Sequence, residues 1–176
     1  MRIMKFSAVV GTGAILAGLL VFASCGGGEK AANRQAEAAV EQALKATTGK
    51  DADVKIDGKS VEIKGEGFTH EFAETAEWPA DMFEGVPKFT FGKIERVSKG
   101  EEGGMLKFNI YIRDMEKGGI ERYMDLLKEA GWQANLNTAG GQGGYVSGEK
   151  DGLGLNFMFS MEDGTGMLAV FSGLEK

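Results

Sequence analysis

The fold is decided by residues 105–132, which read MLKFNIYIRDMEKGGIERYMDLLKEAGW. From Leu106 to Arg113 apolar and polar side chains alternate, which is the period of a strand with one buried face. Asp114 is placed to cap a helix that follows. The apolar face of that helix is spaced at helical intervals and consists of Ile120, Tyr123, Met124, Leu127 and Ala130. Gly131 ends the helix, because a glycine adopts left-handed backbone readily.

Strand patterns continue on both sides of this unit. Before it, Phe89 and Phe91 begin a strand that reaches Val97, and a turn is expected at residues 99–104. After it, alternation predicts four strands, which start near Trp132, Tyr145, Leu153 and Met167. The order β-β-α-β-β-β-β with short connections predicts an α+β domain over residues 68-176, with a largely antiparallel sheet and a helix packed on one face.

Residues 31-67 precede this domain as an Ala-rich helix followed by a β-hairpin. The helix is expected from Glu29 to Thr47, with a narrow stripe of small apolar side chains. Alternation around Asp57-Gly58 indicates the hairpin. We expect residues 31-176 to form one globular unit.

Composition excludes several function classes. The 176 residues include 20 basic and 26 acidic side chains, one Cys and one His. A single Cys excludes a disulfide framework within the monomer and a four-thiolate metal site, and a single His excludes a multi-histidine centre. The net charge of −6 argues against nucleic-acid binding, which needs a concentrated basic face.

The first residues carry a targeting signal. Arg2 and Lys5 precede 19 uncharged residues, Phe6 to Ser24, as in a secretory signal peptide. The segment Phe22-Ala23-Ser24-Cys25 resembles the lipobox of bacterial lipoproteins. The resemblance implies a signal peptide over 1-24, a lipid attached to Cys25, and membrane association through that lipid. Glycines follow Cys25 and indicate a lipidated tether over 25-30. An uncleaved membrane helix and a soluble secreted form are the alternatives.

Resemblance to Gram-negative lipoproteins also bears on the choice of membrane. In that group an Asp after the lipidated Cys retains the protein in the inner membrane. Gly26 stands there instead. The expected location is therefore the cell envelope, with the outer membrane facing the periplasm favoured over the inner membrane or the cell surface.

The remainder of the chain is similar to a family of uncharacterised bacterial lipoproteins. The resemblance covers nearly all of residues 30–174. It is carried by the Ala-rich helix, by TGKDADVKIDGKSVEIK from Thr48, by Trp78-Pro79 and Val86-Pro87, and by a helix closing in Gly131-Trp132. A second Pro typical of the family is replaced at Phe83-Glu84, and Gly118-Gly119 is unusual at the helix start. No catalytic residues are implied by this family.

Motifs for chemistry are sparse. His70 with Glu71, Glu74 and Glu77 is the one cluster suited to acid–base catalysis, but in a strand His70 and Glu71 would point to opposite faces. A solvated polar edge is the simpler interpretation. The Gly140–Gly144 run lacks the Lys and Ser/Thr of a phosphate loop, and Asp51, Asp53 and Asp57 lack calcium-loop spacing. We expect no catalytic residues, no cofactor and no metal.

Met158 lies between the alternating apolar residues of its strand, so it faces away from them. We expect a helix, such as the Ala-rich one, to cover that face; if exposed, it would form an adaptable contact surface. Three functions remain open. They are a non-enzymatic interaction module with an unknown protein partner, a binder of a small apolar ligand or lipid, and a His70-dependent hydrolase.

Overall fold

The computed structural model describes residues 29–140 and 142–173. In that part of the chain two helices and nine strands follow one another as α1 Glu29–Thr48, β1 Ala52–Asp57, β2 Ser60–Gly65, β3 Phe68–Ala73, β4 Lys93–Glu102, β5 Met105–Arg113, α2 Gly119–Glu129, β6 Gln133–Ala139, β7 Gly143–Lys150, β8 Leu153–Ser160 and β9 Thr165–Ser172. All the strands belong to one antiparallel sheet of order β1-β2-β3-β4-β5-β9-β8-β7-β6. The α+β class with a large antiparallel sheet is confirmed.

The strand order repeats itself on either side of β5. One half runs α1-β1-β2-β3-β4 and the other runs α2-β6-β7-β8-β9, each as a helix followed by a four-stranded meander. The halves meet β5 through β4 on one side and β9 on the other. The topology therefore has a pseudo-two-fold axis along β5.

The two helices lie on opposite faces of the sheet. Val40 of α1 packs with Val54 and Ile63 in a small cluster. Leu127 of α2 belongs to the large core with Ile110, which points away from the face that carries Ile63. Because the Ala-rich α1 offers few large side chains, its cluster is small, whereas α2 buries Tyr123, Met124 and Leu127.

A strap between β3 and β4, residues 74–92, covers the centre of the sheet on the α2 side. Its side chains Trp78, Met82, Phe83 and Val86 pack against the large core. Two hydrogen bonds hold it to the other half: the Trp132 indole N–H donates to the Gly85 carbonyl at 2.8 Å, and the Tyr123 hydroxyl donates to the Pro87 carbonyl at 3.0 Å. Burial of the Tyr123 ring raises the pKa of its hydroxyl.

Two boundaries around β4 differ from the sequence expectation. The strand begins at Lys93 and not at Phe89, because Phe89 and Phe91 belong to the strap. It also continues to Glu102 through the segment expected to turn, because β3 and β5 both pair with it there. The turn is made by Gly103 and Gly104, which both have positive φ (59° and 82°) as a tight hairpin requires.

The expected helix cap at Asp114 is wrong. The helix begins at Gly119, and Gly118 occupies the N-cap with φ 73° and no side-chain hydrogen bond. Asp114 lies before this point with φ 52°, and its carboxylate accepts from Lys93 at 3.0 Å and Arg113 at 2.9 Å. At the other end the expectation holds, since Gly131 follows the C-cap Ala130 and has φ 83°.

Candidate interaction surface

Cys25, the expected site of lipid attachment, lies outside the described residues, as do the signal peptide expected over 1-24 and most of the tether expected over 25-30. Neither α1 nor α2, the helices of the described ranges, is long and apolar enough to cross a bilayer.

His70 lies in β3, between β2 and β4, so the expectation of a polar edge there is wrong. Its half-buried imidazole stands between the rings of Phe68 and Phe72, at centroid distances of 5.7 and 6.4 Å. Glu71 points to the opposite face, as strand alternation requires. Glu74 pairs with Lys59 at 3.3 Å. The structure therefore separates the acid–base cluster that proximity in sequence suggests.

No metal cluster forms in the part of the chain that the structure describes: no three His, Cys, Asp or Glu side chains there lie close enough to share an ion. Asp51 is an exposed carboxylate paired with Lys45 at 2.6 Å.

The face of the sheet opposite α2 carries a row of large side chains across four neighbouring strands. We call the surface formed there by β5, β9, β8, β7 and β6 the open face. Register places Tyr111 beside Met167, Met167 beside Met158, and Met158 beside Tyr145. Met158 is 57% exposed and Tyr145 is 47% exposed. The expectation that the Ala-rich helix covers Met158 is wrong, because α1 packs at the far edge against β1.

A second row, two residues further along the strands, is made of small polar side chains. It contains Asn109, Asn156, Ser147 and Asn135, with Ala169 between the first two. The Asn109 amide donates to the Ser98 hydroxyl at 3.0 Å. Carboxamides both donate and accept, so this row offers paired donors and acceptors beside an apolar row.

Arg96 closes the apolar row at β4. Its guanidinium carbon stands 4.1 Å from the centroid of the Tyr111 ring, a cation–π contact. The buried Arg96 Nε has no hydrogen-bond partner among the described residues. The row therefore runs from a cation stacked on an aromatic ring to an exposed Tyr.

A shallow depression of about 350 Å³ lies on the open face beside these rows. It is lined by Gln133, Asn135, Ser147, Glu149, Asn156 and Phe171, among others. Within the lining, the Phe171 ring lies against Gly154, where a Cβ would collide with it. Its lining is mostly polar and its mouth is wide, so it suits surface contact better than enclosure of an apolar molecule.

A second depression, of about 320 Å³, lies by the strap and is lined in part by Lys88, Lys93 and Arg113. Asp114 offsets two of these cations through its ion pairs with Lys93 and Arg113. The hydrogen bond from Lys93, assisted by the nearby Arg113 charge, lowers the pKa of Asp114. Because Asp114 offsets the charges of Lys93 and Arg113, this depression does not present the concentrated positive charge that an anion site needs.

An ion pair ties the strap to β4 on the α2 side of the sheet. The Lys99 ammonium lies 2.5 Å from the Asp81 carboxylate and 5.7 Å from the Phe108 ring centroid. The hydrogen bond between the two groups lowers the pKa of Asp81 and raises that of Lys99. This contact is structural, since it fixes the strap over the core.

Comparison with models of protein families, with curated proteins and with solved structures finds no match to this chain. The candidate surface therefore rests on geometry alone.

Sequence reasoning identified Met158 but missed Tyr111 and Tyr145 as members of the same row. Tyr111 and Asn109 were visible as the polar side of their strand, and Tyr145 as part of a polar strand. The rows arise only when β9 is inserted between β5 and β8, and alternation within single strands does not contain that order.

Proposed function

We propose that this protein is a membrane-anchored bacterial envelope lipoprotein whose folded part is a non-enzymatic interaction module. The observation that carries the proposal is the exposed apolar row of the open face, in which Met158 is 57% exposed and Tyr145 is 47% exposed. Large apolar side chains grouped on a sheet face favour a contact surface. The folded unit, residues 31-176, would be held at the membrane by the tether.

The anchor follows from the lipobox-like sequence before Cys25. In the proposed arrangement a thioether-linked lipid on Cys25 holds the protein in the outer membrane, facing the periplasm. Only three glycines separate Cys25 from α1, which starts at Glu29. A tether this short would keep the module close to the bilayer surface.

The partner best suited to the open face is another envelope protein that presents an apolar surface of low charge. Tyr and Met dominate the first row and carboxamides the second, so formal charge on this face is nearly confined to Lys107, Arg113 and Glu149, with Arg96 at its β4 border. Met side chains adapt to the shape of a partner, and Tyr adds area at a small loss of conformational entropy.

The two alternatives have weaker support. A binder of a small apolar ligand would be supported by an enclosed apolar cavity, whereas both depressions described above are open and partly polar. A hydrolase would be supported by carboxylates gathered at His70, whereas Glu71 lies on the other face and Glu74 pairs with Lys59.

Metabolic labelling tests the anchor. Cells given a palmitate analogue should label the wild-type protein and leave Cys25→Ala unlabelled. Fractionation should place the labelled form in the outer membrane. Equal labelling of both forms would contradict lipidation at Cys25.

Site-specific photocrosslinking tests the open face. A photoreactive residue at Met158 should yield a discrete adduct with another protein in intact cells. The matched control carries the same residue at Lys55, an exposed position of β1 on the opposite face of the sheet. Adducts of equal yield at both positions, or at neither, would contradict the proposal.

A further inference from the structure

The two edge strands of the sheet, β1 and β6, differ in whether their outer backbone groups are hydrogen-bonded. Those of β1 are covered by α1. Glu41 accepts a hydrogen bond from the Val54 amide at 3.0 Å, and Glu37 accepts one from the Ile56 amide at 2.8 Å. The Asn33 amide donates to the Ile56 carbonyl at 3.3 Å. Side chains of α1 thus occupy the backbone groups that another strand would need.

The β6 edge has no such protection. Within residues 29–140 and 142–173, no group outside β7 forms a hydrogen bond to the backbone of Gln133–Ala139. The strand, QANLNTA, carries no charge and no Pro, and its register with β7 runs without a bulge. A charged side chain, a Pro and a β-bulge are features by which edge strands normally avoid pairing, and β6 has none of the three.

The sequence of β6 is suited to pairing with itself. Asn135-Leu136-Asn137 reads the same in both directions around Leu136. In an antiparallel pair centred there, Leu136 lies opposite its own copy, and Asn135 lies opposite Asn137 of the partner subunit. Leu136 packs on the large core, whereas Asn135 and Asn137 are exposed on the open face. Like side chains therefore meet on each face, without repulsion between charges.

We propose that β6 docks a second copy of this chain, edge to edge, as an antiparallel pair around a two-fold axis through Leu136. The assembly is closed, because the remaining edge of each protomer is β1 and is already covered by α1. Such an axis stands perpendicular to the sheet, so both α1 helices lie on the same side of the joined sheet. The inference does not depend on lipidation or on the open face.

A single strand pair buries less than the roughly 800 Å² per partner of standard interfaces, so the dimer should be weak and concentration-dependent. Sedimentation equilibrium of the full chain in detergent, over a wide dilution range, measures this. We expect a monomer–dimer equilibrium for the wild type. In Asn135→Lys/Asn137→Lys, each Lys meets a Lys across the axis, and the dimer affinity should fall about tenfold or more.

A charge-reversal partner distinguishes lost pairing from lost folding. Mixing the double-Lys variant with Asn135→Glu/Asn137→Glu should restore a heterodimer, which requires both variants to be folded. Asn156→Lys is the matched control, since it adds a Lys to the open face on interior β8 and should leave the dimer affinity unchanged. A monomeric wild type, a dimer insensitive to the double-Lys change, or an equal loss in Asn156→Lys would each overturn the proposal.

Discussion

At the scale of single residues, Leu127 shows how much of the core depends on α2. It is 0% exposed and belongs to the cluster that also contains Ile110 and Trp132. Leu127→Ala removes buried methyl groups and leaves a cavity, so the free energy of unfolding should fall by about 2–5 kcal/mol. Urea denaturation measures the change. Asp125→Ala, on the exposed side of α2, should shift it by no more than about 0.5 kcal/mol. An unchanged midpoint for Leu127→Ala would mean that α2 is not docked.

At Gly144 the backbone of the neighbouring strand leaves no room for a side chain. A Cβ at this position would collide with the Asn137 carbonyl oxygen of β6. Gly144→Ala should therefore destabilise the fold by about 1–3 kcal/mol, because neighbouring strands must separate. Gly154→Ala is the comparison: its Cβ would meet the Phe171 ring, which can rotate away. Thermal melting should rank Gly144→Ala as the more damaging change, and the reverse order would contradict this account.

At the scale of elements, the strap is fixed by the Asp81–Lys99 pair. Because Lys99 lowers the pKa of Asp81, the pair stabilises the fold above the ordinary Asp pKa of about 3.9. That contribution is lost as the pH falls through the lowered value in the folded state. Between about pH 5 and pH 2 the melting temperature of Asp81→Asn should therefore fall by less than that of the wild type.

The exposed turn residue Asp57 supplies the control for that experiment. Asp57→Asn should follow the wild-type curve over the same pH range. If Asp81→Asn also follows it, the ion pair makes no measurable contribution to stability, as is common for solvent-exposed pairs.

Elements were predictable from sequence where one face of a strand or helix is buried. The β5 strand and the apolar face of α2 follow from alternation and helical spacing, since burial leaves a periodic trace. The extension of β4 to Glu102 shows no apolar alternation in the sequence. Its residues Lys99 and Glu101 are charged and pair with the polar residues Glu71 and Thr69 of β3. Asp114 failed as a cap because its carboxylate is engaged by Lys93 and Arg113.

At the scale of the whole molecule, the strand order was beyond sequence reasoning. Short connections predicted antiparallel neighbours, and most strands do pair with the next in the chain. The contact between β5 and β9 is the exception, and it creates the open face by bringing Tyr111 beside Met167. The candidate surface could therefore be anticipated only at Met158, whose exposure depends on where α1 packs.

The same contact has a consequence for how the chain folds. Every other pair of neighbouring strands is joined by a hairpin or by the strap, whereas β5 meets β9 across more than fifty residues, from Lys107 with Phe171 to Ile112 with Gly166. Closing so long a loop carries the largest entropic barrier in the sheet, and non-local pairing of this kind slows folding. Once formed, the contact lies in the core, where Ile110, Leu168 and Val170 are fully buried. Because every hairpin of the sheet closes a much shorter loop, pairing of β5 with β9 should be a late step in folding.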